Sequence, residues 1–328
     1  MGGISVRSGA FEAGACLKTC SAAAEILVVG AVLADVVCCV PRLPGAGEGV
    51  VVTERSMALG GCAFNTANAI RQVGGACTLF APVGRGVFAR FISEELASRG
   101  LAAVDVDTEL DCGTCTCLVT PDGERTMVTS PGIEREFCPE WFDAIDAGRY
   151  CAGIASGYEI EGVGGDAIIG FFERNSHVKL WYAPGPRIQG VSKAKTDRIN
   201  ALAPVWHLND QEACAYTGEA DLDCAAAAIR EQSRGDVVIT RGSAGSSVYT
   251  DGGRIDVPAR IVTPVDTIGA GDSHVGVAAV CRAAGLSWDE SLARANAFAS
   301  AVCLVPGATM TDAQCAALVD PVRCPPLS

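Results

Sequence analysis

The chain has 328 residues, of which 49% are hydrophobic and 19% charged, as expected for a globular protein with a large core. Its formal net charge is −13, and no basic patch in the sequence supplies the phosphate contacts that nucleic acids and anionic membranes require. We therefore expect neither class of partner.

The first 24 residues contain no continuous apolar segment, so we expect a disordered tail there and not a signal peptide. The most apolar run, residues 26–40, contains Asp35 and is shorter than the roughly 20 residues of a membrane-spanning helix. We expect a cytoplasmic protein with no membrane partner, in which residues 25–328 form one domain.

The 17 cysteines are odd in number and spread through apolar runs, which is not typical of a disulfide framework. Their densest group is CGTCTC, with Cys112, Cys115 and Cys117. The first two have the spacing of a zinc or redox site, but no second pair follows to complete four ligands. A cysteine-rich strand is the favoured interpretation, and stoichiometric zinc in purified protein would favour a metal or redox protein instead.

In chain order, residues 26–40 begin with an apolar run typical of a buried parallel strand. The segment GGCAFNTANAIRQVGG predicts a glycine turn and a helix from about Ala63, and VFARFISEELASRG predicts an amphipathic helix. From residue 150, strand-like runs alternate with helix-like runs, and the chain ends in helices. This order predicts an α/β fold with a mostly parallel central sheet and helices on both faces.

Two segments, residues 36–58 and 112–130, interrupt the pattern because they read as antiparallel strands. In the second, the strands CGTCTCLVT and RTMVTS flank a turn at PDGE. We expect both segments to join in a small β-strand lid outside the main sheet. The alternative is that they are edge strands of that sheet.

Glycines and polar residues cluster where predicted strands or hairpins end. In an open parallel sheet, ligands bind beyond the carboxyl ends of the strands, so these clusters indicate one site. The clusters are Asp35; Gly60, Gly61 and Asn65; Asn209 and Glu212; Thr240, Gly242 and Gly245; and the GAGD of residues 269–272.

The last cluster lies in DTIGAGDSHVG, directly before an apolar helix. The first N–H groups of a helix have no partner within it, and glycines let another molecule's oxygens approach them closely. The stretch therefore predicts either an anion site or a glycine-rich turn with an acidic helix cap.

Together these motifs resemble the ribokinase-like, or PfkB, carbohydrate kinases, over about Glu25 to Leu318. DTIGAGD is similar to the family's C-terminal signature, and GGCAFNTANAIRQVGG with the following PVG is similar to its N-terminal one. PDGERT, TRGSAG and the N-x-x-E of LNDQE support the match. Within the family, these motifs are most similar to those of bacterial sugar kinases of unassigned substrate.

The resemblance implies an ATP-dependent kinase that phosphorylates a hydroxyl of a small sugar or sugar-like acceptor. Asp272 would be the general base, and the N–H groups at Ala270 and Gly271 would form an anion hole with its own N–H. Gly269 and Thr267 would shape the turn. The other implied acceptor contacts are Asp35, Gly60, Gly61, Asn65, Arg125 and Arg187.

The resemblance also assigns the nucleotide and metal contacts. Glu212 would hold Mg²⁺ through water, and many relatives bind K⁺ beside the anion hole. The implied nucleotide contacts are Asn209, Glu212, Thr240, Gly242, Gly245, Thr267 and Asn296. The implied K⁺ positions are Asp266, Gly307 and Thr311. Asn296 and Glu212 have alternative interpretations, as a buried helix residue bonded to backbone and as a solvated helix carboxylate.

The chain departs from the family at two positions. Ala183 stands where relatives often have Asp, and His274 stands where many carry Phe or another apolar residue. We interpret His274 as a packed helix residue, or else as a group that tunes the base. A lid dimer, as in relatives, is compatible with the sequence.

Two rivals remain beside the sugar kinase. A nucleoside kinase on the same fold needs one aromatic residue beside the ribose site. A non-catalytic sugar-binding regulator would not need the GAGD aspartate. A dinucleotide-binding enzyme is disfavoured because the first strand is followed by GAVLAD and not by G-x-G-x-x-G.

Overall fold

The computed structural model describes residues 5–6 and 25–319. The strands are β1 Ser5–Val6, β2 Glu25–Val29, β3 Leu33–Cys39, β4 Glu54–Gly60, β5 Cys77–Phe80, β6 Pro82–Val83, β7 Val104–Asp105, β8 Thr114–Val119, β9 Arg125–Ser130, β10 Tyr150–Ser156, β11 Lys179–Ala183, β12 Val205–Asn209, β13 Val237–Thr240, β14 Ser246–Thr250 and β15 Gly253–Val257. The helices are α1 Cys62–Gln72, α2 Val87–Ser98, α3 Pro139–Phe142, α4 Gly157–Glu161, α5 Gly165–Arg174, α6 Lys193–Ala201, α7 Asp210–Thr217, α8 Leu222–Ser233, α9 Ala270–Ala283, α10 Trp288–Val302 and α11 Asp312–Val319.

The main sheet has eight strands in the order β15-β14-β13-β12-β11-β10-β2-β5. The six strands from β13 to β5 are parallel, and β14 and β15 continue the sheet in antiparallel pairing. The expected α/β fold with a mostly parallel sheet is therefore confirmed.

Strand β2 shows how helices cover both faces of this sheet. Its sequence EILVV has no polar residue after the first position, because successive side chains enter two different cores. Ile26 and Val28 pack in the core formed with α1, α9 and α10. Leu27 and Val29 pack in the core formed with α5 and α8. All four side chains are at most 1% exposed, so the first apolar run of the sequence is a central strand.

The lid is a separate four-stranded sheet in the order β4-β3-β8-β9. Each of the two predicted segments forms an antiparallel pair, β3 with β4 and β8 with β9. The two pairs join through β3 and β8, which run parallel to each other. This pairing brings together strands about 80 residues apart, which no local turn signal in the sequence specifies.

A third sheet, β1-β7-β6, is small. In it Ser5–Val6 pairs antiparallel with Val104–Asp105. The other residues for which a disordered tail is expected, 1–4 and 7–24, lie outside the described ranges. Within residues 5–6 and 25–319, no helix is long and apolar enough to cross a membrane.

The cysteine group of the sequence falls on the lid. Cys115 and Cys117 lie in β8, and Cys112 precedes it. In the described part of the chain, no three His, Cys, Asp or Glu side chains are grouped as metal ligands.

Candidate active site

Helix α9 begins at the GAGD motif, and a glycine makes that start possible. Gly269 has a φ of 77°, and a Cβ at this position would collide with the carbonyl oxygen of Ala308. The first N–H to enter the helical ladder is that of Ser273, which donates to Gly269 O at 2.9 Å. The N–H groups of Gly271 and Asp272 therefore precede the ladder at the positive end of the helix dipole. That of Ala270 donates to Thr267 O at a long 3.4 Å.

Asp272 lies in the first turn of α9 and is held by helix α1. Asn65 Nδ2 donates to its Oδ2 at 2.8 Å, and Thr66 Oγ1 donates to its main-chain oxygen at 3.1 Å. The Cys62 thiol also hydrogen-bonds to its carboxylate. Burial raises the pKa of Asp272 above its usual range, and the Asn65 and Cys62 donors offset part of that rise. A raised pKa favours a carboxylate that takes a proton near neutral pH.

Two oxygen acceptors near this carboxylate have no donor within the described residues. Asn65 Oδ1 is buried, and the amide's other end is used on Asp272. The Asp35 carboxylate lies against the backbone of Gly60, where any side chain would collide with it. Burial raises the pKa of Asp35 from 3.8 to about 6. A ligand that donates hydrogen bonds, such as one with hydroxyl groups, matches these acceptors.

The glycine pair before α1 allows this close approach. Gly61 has a φ of 97°, and a Cβ there would collide with the carbonyl oxygen of Ala31. The structure therefore brings the predicted Asp35, Gly60, Gly61 and Asn65 together beside Asp272.

Both predicted arginines are already paired with carboxylates. Arg187 donates from Nε and Nη2 to the two carboxylate oxygens of Glu161, at 2.7 and 2.6 Å. Arg125, at the start of β9, contacts Asp266 Oδ2 at 2.7 Å. The sequence could not show these partners, since each pairing depends on the tertiary fold.

Asp266 is the most heavily contacted of the implied potassium positions. Its oxygens accept from Gly307 N–H at 2.8 Å and from Ile268 N–H at 3.1 Å, besides Arg125. Burial alone would raise the pKa of Asp266, but these donors hold it below its usual range. Thr311 hydrogen-bonds instead to Gln314 at the start of α11. With its oxygens taken by these donors, Asp266 as it stands does not fit a potassium ion.

A pocket beside the start of α9 is lined by most of the residues predicted to contact the nucleotide. Its walls mix small apolar groups with a few polar ones, as small-molecule pockets do. Among the lining residues are the predicted Thr240, Gly242, Gly245, Thr267 and Asn296, with Ala259, Val262, Ala270, Gly271 and His274. The structure therefore places the anion-hole backbone and the predicted nucleotide residues on one cavity.

Asn209 and Glu212 form a capping box at the start of α7. Asn209 Oδ1 accepts from Glu212 N–H at 2.7 Å, and Glu212 Oε2 accepts from Asn209 N–H at 3.0 Å. Burial is the main cause that raises the pKa of Glu212, and the charge of Asp272 adds to it. Glu212 is thus a half-buried carboxylate within electrostatic reach of Asp272, and carboxylate oxygens suit Mg²⁺ or its water shell, so the residues fit this ion.

A buried polar chain crosses α9 beside the nucleotide pocket. Asn296 Nδ2 donates to the carbonyls of Val257 and Pro258, so its Oδ1 accepts from His274 Nε2 at 3.0 Å. His274 Nδ1 then accepts from His207 Nε2 at 2.8 Å. Burial holds the pKa of His207 well below 6.5 and that of His274 at about 4, so both rings are neutral. All of these partners of Asn296 lie within the protein, in agreement with its interpretation as a buried helix residue bonded to backbone.

Sequence reasoning missed three residues around the site. Cys62 contacts Asp272, as described above. Glu159 is 3% exposed and accepts from Ala31 N–H at 3.0 Å, which ties helix α4 to the segment after β2. Tyr158 is 41% exposed and carries Arg187 5.8 Å above its ring. The signal for both was available, because YEIE directly follows a predicted strand, as the other polar clusters do.

Known proteins resemble this chain over most of its length. A family model described as pfkB family carbohydrate kinase matches residues 23–314. An uncharacterized sugar kinase of Escherichia coli K12, YegV, is 31% identical over 280 residues, which cover 84% of this chain and 87% of that protein. The ribokinase structure from Thermotoga maritima has a TM-score of 0.77 at 20% identity and covers 90% of this chain and 99% of its own. An adenosine kinase structure from Sinorhizobium meliloti has a TM-score of 0.78 at 21% identity, with coverage of 92% and 100%.

Proposed function

Because the chain belongs to the pfkB family of carbohydrate kinases, we propose that it transfers the terminal phosphoryl group of ATP to a hydroxyl of a small sugar-like acceptor. One observation carries the residue assignment. Asp272 lies at the start of α9, held by Asn65, between the unpartnered acceptor groups and the nucleotide pocket. A base in this position can reach a hydroxyl on one side and face a phosphate on the other.

The acceptor binds through its hydroxyl groups. Asp35 and Asn65 Oδ1 accept hydrogen bonds from hydroxyls, and the Gly60–Gly61 backbone lets the sugar ring approach closely. The hydroxyl to be phosphorylated donates to Asp272. Positioning of this kind supplies much of the rate enhancement in phosphoryl transfer.

The chemical step moves one proton and one phosphoryl group. The acceptor oxygen attacks the terminal phosphorus, the bond from that phosphorus to the ADP oxygen breaks, and Asp272 takes the hydroxyl proton. The N–H groups of Gly271 and Asp272, with that of Ala270, bind the charge that the phosphoryl oxygens carry in the transition state. The products are the phosphorylated acceptor, ADP and a proton on Asp272.

The nucleotide enters the pocket lined by Thr240, Gly242, Gly245 and Thr267. Mg²⁺ bound to the phosphates would neutralise their charge, and Glu212 and Asn209 would hold its water shell. The four-stranded lid covers the acceptor side and excludes water during transfer.

The decisive experiment is ADP release from ATP and Mg²⁺ over a panel of sugars, sugar acids, sugar phosphates and nucleosides. Asp272→Asn should lower kcat by about 10²–10⁴-fold for any acceptor that stimulates the wild type. The matched control is Asp289→Asn, an exposed first-turn aspartate of α10, which should keep full activity. Activity of Asp272→Asn within threefold of the wild type would overturn the assignment. Binding of ATP without stimulation by any acceptor would favour the sugar-binding regulator.

A nucleoside kinase is the second candidate, and Tyr158 favours it. Its ring is 41% exposed, and burial of its hydroxyl raises that group's pKa to about 12, with a further rise from nearby Cys62 and Asp272. One such aromatic face suffices to stack a nucleobase. Nucleosides in the panel decide between the two acceptor types.

The exposed edge strand β9 of the lid is the basis of a proposal for self-association. All six residues of β9 are exposed, and Met127 and Val128 are 52% and 60% exposed. We propose a homodimer formed through this sheet, which light scattering on a size-exclusion column tests. A monomer at micromolar concentration would contradict it.

A further inference from the structure

We infer, on the basis of the proposed kinase function, that the acceptor is an uncharged polyhydroxylated molecule and that sugar phosphates and sugar acids are poor acceptors. Three observations lead to this conclusion. The two arginines predicted to face the acceptor are each neutralised by a carboxylate. The acceptor-facing groups beside Asp272 are carboxylate or amide oxygens. The lid strand beside Asp35 carries neutral thiols and no cationic side chain next to it.

The pair between Arg187 and Glu161 is the first observation. It is bidentate, with both carboxylate oxygens used, which is the strongest geometry for an arginine and a carboxylate. Gly190 leaves room for this carboxylate, since a Cβ there would collide with Glu161 Oε1. An anionic acceptor would have to displace this bidentate carboxylate from Arg187. The pair therefore presents no net charge to the acceptor.

The pair between Arg125 and Asp266 is harder to break. The Asp266 side chain is only 6% exposed and is fixed by the N–H groups of Gly307 and Ile268. Turning Arg125 toward an anionic acceptor would leave a buried carboxylate without its cation, which is strongly unfavourable. Arg125 therefore stays paired with Asp266, in the loop before α9, and does not offset charge on the acceptor.

The acceptor side itself is electronegative. Asp35 has no donor in the described part of the chain, and Asp272 is contacted by the neutral donors Asn65 and Cys62. Cys115 lies beside Asp35 on the neighbouring strand β8 of the same lid sheet, and Cys117 follows on the same face. Their thiols are protonated, because burial raises the pKa of each. An anion placed among these groups meets two carboxylates, which disfavours it by on the order of 100-fold or more.

Matched acceptor pairs test the inference. We would compare kcat/KM for ribose and ribose 5-phosphate, fructose and fructose 6-phosphate, and glucose and gluconate, with uridine and adenosine as neutral nucleosides. The neutral member of the pair that is used should exceed its anionic partner by about 100-fold. Raising the salt concentration should narrow that ratio, because screening weakens the repulsion of the anion and leaves the neutral acceptor unaffected.

A charge variant separates this account from simple shape selection. Glu161→Gln frees the Arg187 guanidinium, so the anionic-to-neutral ratio of kcat/KM should rise by about 10-fold. Asp166→Asn is the matched control, because it removes a carboxylate that pairs with Arg198 and Lys195 and leaves the Arg187–Glu161 pair in place. The control should leave the ratio within twofold of the wild type.

The outcomes are distinguishable. A sugar phosphate or sugar acid used faster than its neutral partner overturns the inference and leaves the kinase standing. An unchanged ratio in a folded Glu161→Gln variant overturns the role given to Arg187. If no acceptor of either class stimulates ADP release although ATP binds, the kinase proposal fails and the inference fails with it.

Discussion

Replacing Asp35 by asparagine should make the protein more stable and nearly inactive. The Asp35 carboxylate is half-buried against Gly60, has no donor in the described residues and has a pKa raised to about 6 by burial. The folded state therefore binds its proton more tightly than the unfolded state does. Above pH 6 the ionised carboxylate lowers the free energy of unfolding, and an uncharged amide of the same shape removes this cost.

The size of the Asp35 pKa shift determines how much the Asp35→Asn substitution should raise the free energy of unfolding. A rise from 3.8 to about 6 is about two pH units, which corresponds to about 3 kcal/mol at neutral pH. Solvent screening at a half-buried side chain reduces the expected gain to about 1.5 kcal/mol. The gain is fully present above pH 6 and disappears as the pH falls from about 6 to below 3.8, because both states then hold a protonated Asp35.

Urea unfolding at pH 7.5 and pH 5.0 measures the effect. The free energy of unfolding of Asp35→Asn should exceed that of the wild type at pH 7.5, and the difference should fall by about half at pH 5.0. The control Asp122→Asn lies in the lid turn, where the Thr120 hydroxyl and the Glu124 N–H lower the aspartate pKa, so it should show no gain. In the same preparations, kcat/KM for the acceptor should fall by about 100-fold or more in Asp35→Asn.

Two results would refute this reasoning. A variant less stable than the wild type at pH 7.5 would mean that Asp35 has a donor that stabilises its charge. A stability gain that is equal at both pH values would mean that the gain does not come from ionisation.

Two further substitutions test the loop and the buried histidines. Gly269→Ala adds a Cβ that collides with Ala308 O at a φ of 77°, so steady-state kinetics should show kcat lowered by about 100-fold, and a wild-type kcat would contradict the need for this turn. His274→Phe leaves His207 Nε2 and Asn296 Oδ1 buried without a partner, so urea unfolding should show a loss of about 2–4 kcal/mol, together with a raised KM for ATP. Burial holds the pKa of His274 at about 4 in the folded state, whereas an unfolded histidine binds its proton near pH 6.5. The free energy of unfolding of the wild type should therefore fall as the pH drops from about 6.5 to 4. Buried His207 contributes in the same direction, so His274→Phe should reduce this pH-dependent loss without abolishing it, and a loss as large as that of the wild type would contradict the assignment.

The parts of this fold that sequence reasoning predicts are those encoded locally. The buried run of β2, the glycine turn before α1 and the GAGD start of α9 each depend on residues within one segment, and each lies where expected. Family resemblance adds the functional interpretation of these segments.

The parts that it misses depend on pairs distant in sequence. His207 and His274 are 67 residues apart, and each alone reads as a packed ring on an apolar element. The arginines are predicted near the acceptor, but their partners Asp266 and Glu161 change what they can bind. The parallel pairing of β3 with β8 likewise joins segments with no local signal for each other.

The hydrogen bond between Asn65 and Asp272 spans 207 residues, and this has a consequence for biosynthesis. When residue 265 leaves the ribosome's catalytic centre, every proposed acceptor ligand has been made and the proposed base has not. At about 5–20 residues per second, the rest of the chain follows over several seconds. During that interval, the face of α1 that later packs on α9 has no covering helix. The acceptor half of the site is thus made early, and catalytic competence is one of the last properties that the nascent chain acquires.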